Sequence, residues 1–300
     1  MKLFQITIAV GAAAAVTLGP AAYAGGAAPS TVTGHLFQEA PGGVLTGREV
    51  AERCRAAYTA LQTYQVTSAV TVHSVEGPSG KVEDEHASAV IQFARPGKIH
   101  VEGLDTEAKP FAYVSDGLTT FQTDSPKSGS WKKVPGYHNP NGIEMAIGRV
   151  TGIAMNAATT VPALLMSTDP SVTYLGWGVP QPLGKDLLSF AGNPTNPIGK
   201  TSGFEITFEV KDGAIDGSSY YVLIPHGSII FNKEAFWIDK KTFLLRRVVT
   251  DSDTAAGTIP DGKGGNQAMP ALKMHQEENY TNERVNAPLP DSTFTLPAAQ

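Results

Sequence analysis

Apolar and polar residues alternate through positions 87–121 in the manner of half-buried β-strands. Ala87, Ala89, Ile91 and Phe93 recur at every second position, and a period of two places these side chains on one face of a strand. Shorter apolar runs follow as far as Phe121, separated by turn sequences rich in proline and glycine. The stretch predicts an antiparallel β-meander with one apolar face.

The two-residue period returns in the second half of the chain. It is clearest over Phe204–Val210, where the turn-forming sequence Lys211–Gly213 predicts the end of a strand. Further apolar runs continue the sheet towards the C-terminus. The glycine-rich stretch Asp251–Pro270 predicts a mobile loop, and Thr293–Leu296 predicts a final strand.

Helical spacing occurs in two places. Thr46 and Glu49 form a capping-box sequence, and apolar residues recur at helical spacing from Val50 to Leu61. Apolar residues from 143 to 166, interrupted by prolines, predict one or two short helices. Long runs of strands, with helices early and in mid-chain, favour an α+β fold over alternating α/β units.

The N-terminus has the three parts of an export signal. Lys2 provides a positive start, Leu3–Leu18 is an apolar segment, and Ala22–Ala24 matches a small-residue cleavage site. The residue directly after that site is Gly25 and not a cysteine, so no lipid anchor is expected. The predicted organisation is a signal peptide over 1–24 cleaved after Ala24, a flexible leader over 25–45 and one domain over 46–300. That domain carries an enlarged helical and loop insertion around 139–200.

Charge and motif content exclude several classes of function. The net charge is −5 and no basic block is present, so nucleic acid is not an expected partner. Cys54 is the only cysteine, so no internal disulfide can form, and a small buried side chain is expected there. Glu83–His86 are adjacent in a strand and point alternately to opposite faces, which does not suit a metal site. No enzyme motif is present, and neither catalysis nor a cofactor nor a metal is expected.

Three short motifs resemble a known family. They are Phe93–Ile99 with its Arg-Pro turn, Val114–Gly117 with its Ser-Asp-Gly hairpin, and the ending Asp291–Pro297. In this order, behind an export signal, they resemble the periplasmic lipoprotein-carrier superfamily of LolA/LolB-like proteins, and in particular a larger periplasmic branch of it. The resemblance implies a strongly curved antiparallel sheet that forms an incomplete β-barrel closed by helices. It also implies a periplasmic location.

Arg95 is the first candidate site residue. Its guanidinium presents five donors and can bond loop carbonyls or helix ends, although an arginine in a turn can equally lie on the surface. The resemblance implies a role in gating a helical lid. Apolar side chains are candidates for the lining of a ligand cavity, and whether they line a cavity or fill the interior remains open from sequence. The candidate lining residues are Ile91, Phe93, Ile99, Phe121, Met145, Leu164, Leu165 and Met166.

The leading hypothesis is a monomeric periplasmic binding or carrier protein. Its ligand would be an acyl chain, a lipoprotein or another apolar molecule held in a lidded barrel, and a membrane receptor is a possible partner. The alternative is an envelope sensor or protein-interaction module of the same fold without a cavity. A secreted hydrolase is a third hypothesis, which the absence of a nucleophile, base and oxyanion signature disfavours.

Overall fold

One antiparallel sheet of eleven strands, together with three helices, makes up most of the described chain. The computed structural model describes residues 44–126, 129–136, 140–154, 156–169, 171, 206–227, 233–260 and 266–297. The predicted signal peptide, nearly all of the predicted leader and the later part of the predicted insertion lie outside these residues. The sheet and the helices confirm the α+β class.

The strands alternate in direction along the chain and pair mainly with their sequence neighbours. They are β1 Thr63–Gly77, β2 Lys81–Ala94, β3 Lys98–Leu104, β4 Pro110–Asp116, β5 Thr120–Thr123, β6 Lys132–Lys133, β7 Ile206–Ile215, β8 Ser218–Gly227, β9 Lys233–Asp239, β10 Leu245–Thr254 and β13 Ala271–Val285. A separate two-stranded sheet consists of β11 Gly257–Pro260 and β12 Asn266–Met269.

The sheet joins two meanders through its centre. Strands β1 to β6 form one meander and β7 to β10 the other, and β13 lies between β1 and β10. Tyr64 of β1 pairs with Val285, and Gly77 pairs with Ala271, so these two strands are in register along almost their whole length. Among the described strands, β6 and β7 are the two edges and are not bonded to each other. The sheet is therefore open.

All three helices pack against the same face of the sheet, here called the helix face. They are α1 Gly47–Ala60, α2 Ile143–Ala154 and α3 Thr160–Ser167. Helix α1 contacts β7 and β8, whereas α2 and α3 contact β2. Buried apolar residues from the helices and from this face form one continuous cluster. None of the helices in the described ranges is both long and apolar enough to cross a bilayer.

Helix α1 begins where its capping sequence predicts. The Thr46 hydroxyl accepts from the Glu49 amide at 3.3 Å, and the Glu49 carboxylate accepts from the Thr46 amide at 2.7 Å. These bonds satisfy amides that an α-helix leaves unpaired in its first turn. Cys54 lies on the buried side of the helix, and burial raises the pKa of its thiol to about 12. It is thus a structural side chain, because the reactive form of cysteine is the thiolate.

Strand β7 is longer than predicted, because Lys211–Gly213 lies within it. The strand continues to Ile215, and the turn is formed by Asp216 and Gly217. A Cβ atom at Gly213 would lie 2.5 Å from Cζ3 of the Trp237 indole. The glycine therefore makes room for a neighbouring aromatic ring instead of ending the strand.

Two C-terminal predictions are also corrected. Asp251–Pro270 is not a single loop, because β10 continues to Thr254 and is followed by β11 and β12. Its paired positions are largely exposed, so no apolar alternation marks them as strands. The predicted last strand, Thr293–Leu296, is replaced by a 3₁₀ turn over Asp291–Phe294. That turn buries Phe294 beside β3 and β4.

Candidate functional site

The turn between β2 and β3 brings the candidate gating residue next to the helices. Gly97 in this turn has a φ of +64°, a conformation in which glycine carries no steric cost. A Cβ atom at Gly97 would lie only 2.5 Å from the Ser171 hydroxyl. The turn therefore approaches the chain just after α3 so closely that a side chain at position 97 would need the place of the Ser171 hydroxyl.

Arg95 binds the end of helix α1. Its Nε donates to the Leu61 carbonyl at 2.7 Å, and Nη2 donates to the Tyr58 carbonyl at 2.9 Å. Carbonyls in the last turn of a helix lack the amide partners of the helical ladder, and the Tyr58 carbonyl also accepts from the Leu61 amide at 3.3 Å. The guanidinium adds side-chain donors at this end, so it acts as a C-terminal cap for α1 from a different part of the chain.

The same side chain binds the end of helix α3. Its Nη1 lies 2.9 Å from Oδ2 of Asp169 and 3.5 Å from the Thr168 carbonyl. Oδ2 of Asp169 also accepts from the Gly97 amide at 2.9 Å. We call Arg95, Gly97 and Asp169 the clasp. Its bonds join the β2–β3 turn to the ends of two helices.

The clasp is a buried ion pair. The Asp169 side chain has no exposed surface and the Arg95 side chain is 10% exposed. Burial lowers the pKa of Arg95, and the charge and hydrogen bond of Asp169 oppose that shift. An arginine keeps its charge over the whole physiological range even so. The guanidinium also lies 5.2 Å from the centre of the Phe93 ring, within the range of a cation–π interaction.

Most of the predicted lining residues lie together under the helices. Ile91, Phe93, Ile99, Leu164, Leu165 and Met166 have 0% exposed surface and belong to the one core cluster. A side chain with no accessible surface borders no void large enough for a water molecule. At these six positions, the interior of the structure is filled. Met145 is only partly buried and packs at the edge of the cluster.

Phe121 does not lie with the other predicted lining residues. It pairs with Val114 on β4, whereas Tyr113 of the same strand pairs with Val101 and belongs to the core cluster. Adjacent strand residues point to opposite faces, so Phe121 lies on the outer face. The prediction that Phe121 faces the cavity is therefore wrong. A shift of one residue in strand pairing moves a side chain to the other face of a sheet, and the sequence alone does not fix the pairing of β5 with β4.

Three further contacts that the sequence did not indicate hold α3 in place. The Thr160 hydroxyl in its first turn donates to Oε2 of Glu278 on β13 at 2.8 Å. The Tyr113 hydroxyl donates to the Ala158 carbonyl, just before the helix, at 2.9 Å. Asp169 completes the clasp at the other end. No local pattern marks these partners, because each lies far along the chain from the group that it binds.

The outer face carries paired histidines and carboxylates. His73 bonds Asp84 at 2.7 Å, and His275 bonds Asp251 at 2.7 Å. Within the ranges that the structure describes, no three histidine, cysteine or acidic side chains are grouped as ligands for a metal ion.

Comparisons with known proteins give only distant structural likenesses. No protein-family model matches the chain, and no curated protein matches it. Solved structures to which it is similar include a LolA superfamily protein from Nitrosomonas europaea, with 12% identity over 84% of this chain and 99% of that one and a TM-score of 0.31. A DUF1329 family protein from Desulfovibrio piger has 12% identity over 85% and 98% of the two chains and a TM-score of 0.34.

A third likeness is to the MucA/MucB complex of Pseudomonas aeruginosa. It has 9% identity over 83% of this chain and 60% of the other, with a TM-score of 0.34. A LolA superfamily structure is thus among the neighbours, as the sequence motifs predict. All three TM-scores are below 0.5.

Proposed function

We propose that this chain is a periplasmic binding or carrier protein for an acyl chain, a lipoprotein or another apolar ligand. In this proposal, the sheet curves into an incomplete barrel, helices α2 and α3 form its lid, and the clasp holds the lid closed. The observation that carries the proposal is the position of Arg95, which bonds the ends of both α1 and α3.

A buried ion pair is a poor way to add stability but a suitable way to hold a part that moves. Removing two charges from water costs several kcal/mol per ion, and apolar replacements are often as stable or more stable. Opening the clasp would return both charges to water and so recover that cost. A contact made only of apolar side chains would recover no desolvation cost when it opened. The clasp therefore favours a lid with two discrete states.

The apolar surfaces below the lid explain what the ligand would do. Lifting α3 would expose Leu164, Leu165 and Met166 together with Ile91 and Phe93, all of which are fully buried in the closed state. An acyl chain entering this space would cover those surfaces, with about 0.8 kcal/mol gained for each buried methylene. The mechanism is exchange of one apolar contact for another, and it requires no covalent chemistry.

A disulfide across the clasp tests this mechanism. The Cβ of a residue at position 97 would lie 3.7 Å from Cβ of Ser171, which is close to the separation of about 3.8 Å in disulfides. The variant G97C/S171C, when oxidised, should hold the lid shut and abolish uptake of a fluorescent fatty acid. Reduction should restore uptake. Cys54 will not interfere, because its buried thiol is not reactive.

The control disulfide lies in the sheet, where no movement is proposed. Cβ atoms at positions 77 and 271 would be 3.8 Å apart, so G77C/A271C should oxidise equally well and leave uptake unchanged. Equal uptake by the oxidised and reduced lid variant would contradict the lid mechanism. Native mass spectrometry of the protein purified from its own periplasm should show a bound lipid, and failure to find one together with no fatty-acid uptake would contradict a carrier.

One observation favours a second function. The six fully buried candidate lining residues fill the space under the helices, which is also what a protein-interaction or sensor module without a cavity requires. In that case the lid stays closed during function. The oxidised G97C/S171C variant would then bind its protein partner as well as the parent does, and neither form would take up fatty acid.

A further inference from the structure

A row of polar side chains crosses the helix face beside the apolar core. In the register of the sheet, Glu234 of β9 lies opposite Thr250 of β10, and Thr250 lies opposite Gln276 of β13. The row continues through Val72 of β1, which lies opposite Gln276, to Glu85 of β2. Directly paired side chains on one face have Cβ atoms about 4.5–5.5 Å apart. Glu234, Thr250 and Gln276, here called the polar row, are therefore contiguous and are all buried.

Glu234 in this row is a buried carboxylate with an unmet hydrogen-bonding requirement. It is 3% exposed, and its Oε2 atom has no hydrogen-bond partner among the described residues. Burial raises the pKa of Glu234 to about 7. An unpaired polar group in the interior costs free energy, and buried carboxylates are normally paired or hydrogen-bonded. Among the described residues, no donor reaches Oε2 of Glu234.

The basic side chains of the neighbouring strand β10 are engaged elsewhere, since Arg246 forms an ion pair with Glu283 and Arg247 donates to Asn279. Strand β8, the other neighbour of β9, carries Tyr221, Leu223 and Pro225 on the helix face. On β10 the residues of the helix face are Val248, Thr250 and Ser252, and on β13 they are Met274, Gln276, Glu278 and Tyr280. Lys233 is adjacent in sequence but exposed, and it points to the other face. The further acidic groups on this face are Glu278 and, at the β2 end of the row, Glu85, and both have the same sign as Glu234. Around the polar row, the described positions thus provide no cation for Glu234.

The polar row also adjoins the proposed lid. Glu278, two residues from Gln276 on the same face, binds Thr160 in the first turn of α3 and also accepts from the Tyr280 hydroxyl. The next residue of β9 on this face is Phe236, which pairs with Val248, and both are buried in the apolar cluster. Polar and apolar surfaces thus meet at the first turn of the lid helix.

We infer that the polar row receives the head group of an amphiphilic ligand, and that this head group carries an ammonium. The inference rests on the proposed function, because the tail of the ligand would lie against the apolar cluster under the lid. An ionised carboxylate only accepts hydrogen bonds, so Glu234 selects a donor. A positive donor is preferred, because charge-assisted hydrogen bonds are the stronger ones.

Three ligands with the same tail and different heads test this inference. Dodecylamine, dodecanol and dodecanoate, each below its micelle concentration, would compete with a fluorescent neutral acyl probe at pH 8. The amine should displace the probe at a concentration about tenfold or more below that of the alcohol, since a hydrogen bond to a charged group contributes that much. The dodecanoate should be the weakest, because its charge has the same sign as Glu234 and Glu278.

The matched variants are Glu234→Gln and, on the outer face of β3, Glu102→Gln. The first should remove the preference for the amine and affect dodecanol displacement much less, whereas the second should change neither. In the parent protein, the preference should grow from pH 6 to pH 8, because Glu234 ionises over this interval while the amine remains charged.

The two proposals fail in different ways. Equal displacement by the amine and the alcohol, with no effect of Glu234→Gln, would overturn the assignment of an ammonium head group and leave the carrier function standing. A failure of all three ligands and of the acyl probe to bind would overturn the carrier function itself.

Discussion

The Arg95 guanidinium connects three separate parts of the chain through one side chain. Its donors reach carbonyls at the end of α1 and both a carbonyl and a carboxylate after α3. A lysine could not replace it, because a single ammonium lacks the planar fork that reaches partners in several directions. The specificity of the contact lies in this geometry as much as in the charge.

Removal of the arginine should destabilise the protein more than removal of the whole pair. Arg95→Met leaves Asp169 buried and uncompensated, and we expect a loss of about 3–5 kcal/mol in the free energy of unfolding. The double variant R95M/D169L should recover much of that loss, because no buried charge remains. Urea denaturation of the two variants measures both values.

Arg48→Met provides the control for this measurement. Arg48 pairs with Glu52 at 2.9 Å in an exposed i, i+4 arrangement on α1, and such pairs contribute about 0.3–0.5 kcal/mol. A loss for Arg95→Met as small as that for Arg48→Met would show that Asp169 is not buried in solution.

Glu234 should make stability depend on pH in an unusual direction. Its folded pKa of about 7 lies above the ordinary value of 4.5, so the folded state binds the proton more tightly than the unfolded state. Stability from this group is present at low pH and is lost as pH rises through about 7. Glu234→Gln should therefore raise the melting temperature at pH 8 and change it little at pH 4.5. Melting curves from pH 4.5 to 8 that run parallel for parent and variant would contradict the raised pKa.

At the level of elements, helix α1 depends on a close approach to β7. A Cβ atom at Gly47 would lie 2.6 Å from both Cβ and the carbonyl oxygen of Phe208. The backbone of the sheet cannot move as a flexible side chain can, so a larger residue separates the helix from the strand.

Gly47→Ala should lower the free energy of unfolding by about 1–3 kcal/mol, the usual cost of overpacking. Thermal denaturation checks this value. Gly257→Ala is the matched control, because nothing lies within 4 Å of its Cβ position, and it should have almost no effect. If the two variants are equally stable, α1 is not seated on β7 as described.

The elements also show which parts of the fold could be predicted from sequence. Helix α1 and the β2–β4 meander follow from local signals, namely the capping box, the period of two and the Ser-Asp-Gly turn, and all are confirmed. The extension of β7 through Gly213 was missed, because its cause is the ring of Trp237 on another strand. The 3₁₀ turn that ends in Phe294 was mistaken for a strand for a similar reason. Local patterns cannot report contacts between distant segments.

The candidate site likewise contains residues that could be predicted from sequence and residues that could not. Arg95 could be proposed from its motif, but Asp169, its partner, follows no recognisable pattern. Glu234 and the polar row could not be predicted, because they depend on the register of three strands, β9, β10 and β13. Phe121 was assigned to the wrong face because sequence does not fix that register.

At the scale of the whole molecule, the sheet depends on β13 much more than on the small hairpin before it. Thr254 at the end of β10 pairs with Leu272 of β13, so the intervening chain joins two points that are already adjacent. Strands β11 and β12 pair only with each other in the described structure.

Replacement of residues 257–269 by a short glycine-rich turn should therefore be tolerated, with a melting temperature close to that of the parent. Deletion of residues 271–297 should prevent folding, because β1 and β10 both lose their partner. Circular dichroism and the cooperativity of thermal unfolding distinguish the two results. Loss of folding in the first variant would mean that the hairpin has a structural role that the pairing does not show.

The central position of β13 also affects the order of events during biosynthesis. Strand β1 is among the first to be made, yet its partner on one side is the last strand of the chain. The residues between Gly77 and Ala271 must be produced first, which takes on the order of ten seconds or more at about 5–20 residues per second. During this delay one long edge of the early meander is open to other chains. A molecular chaperone that shields that edge would protect the nascent protein until its own C-terminus arrives.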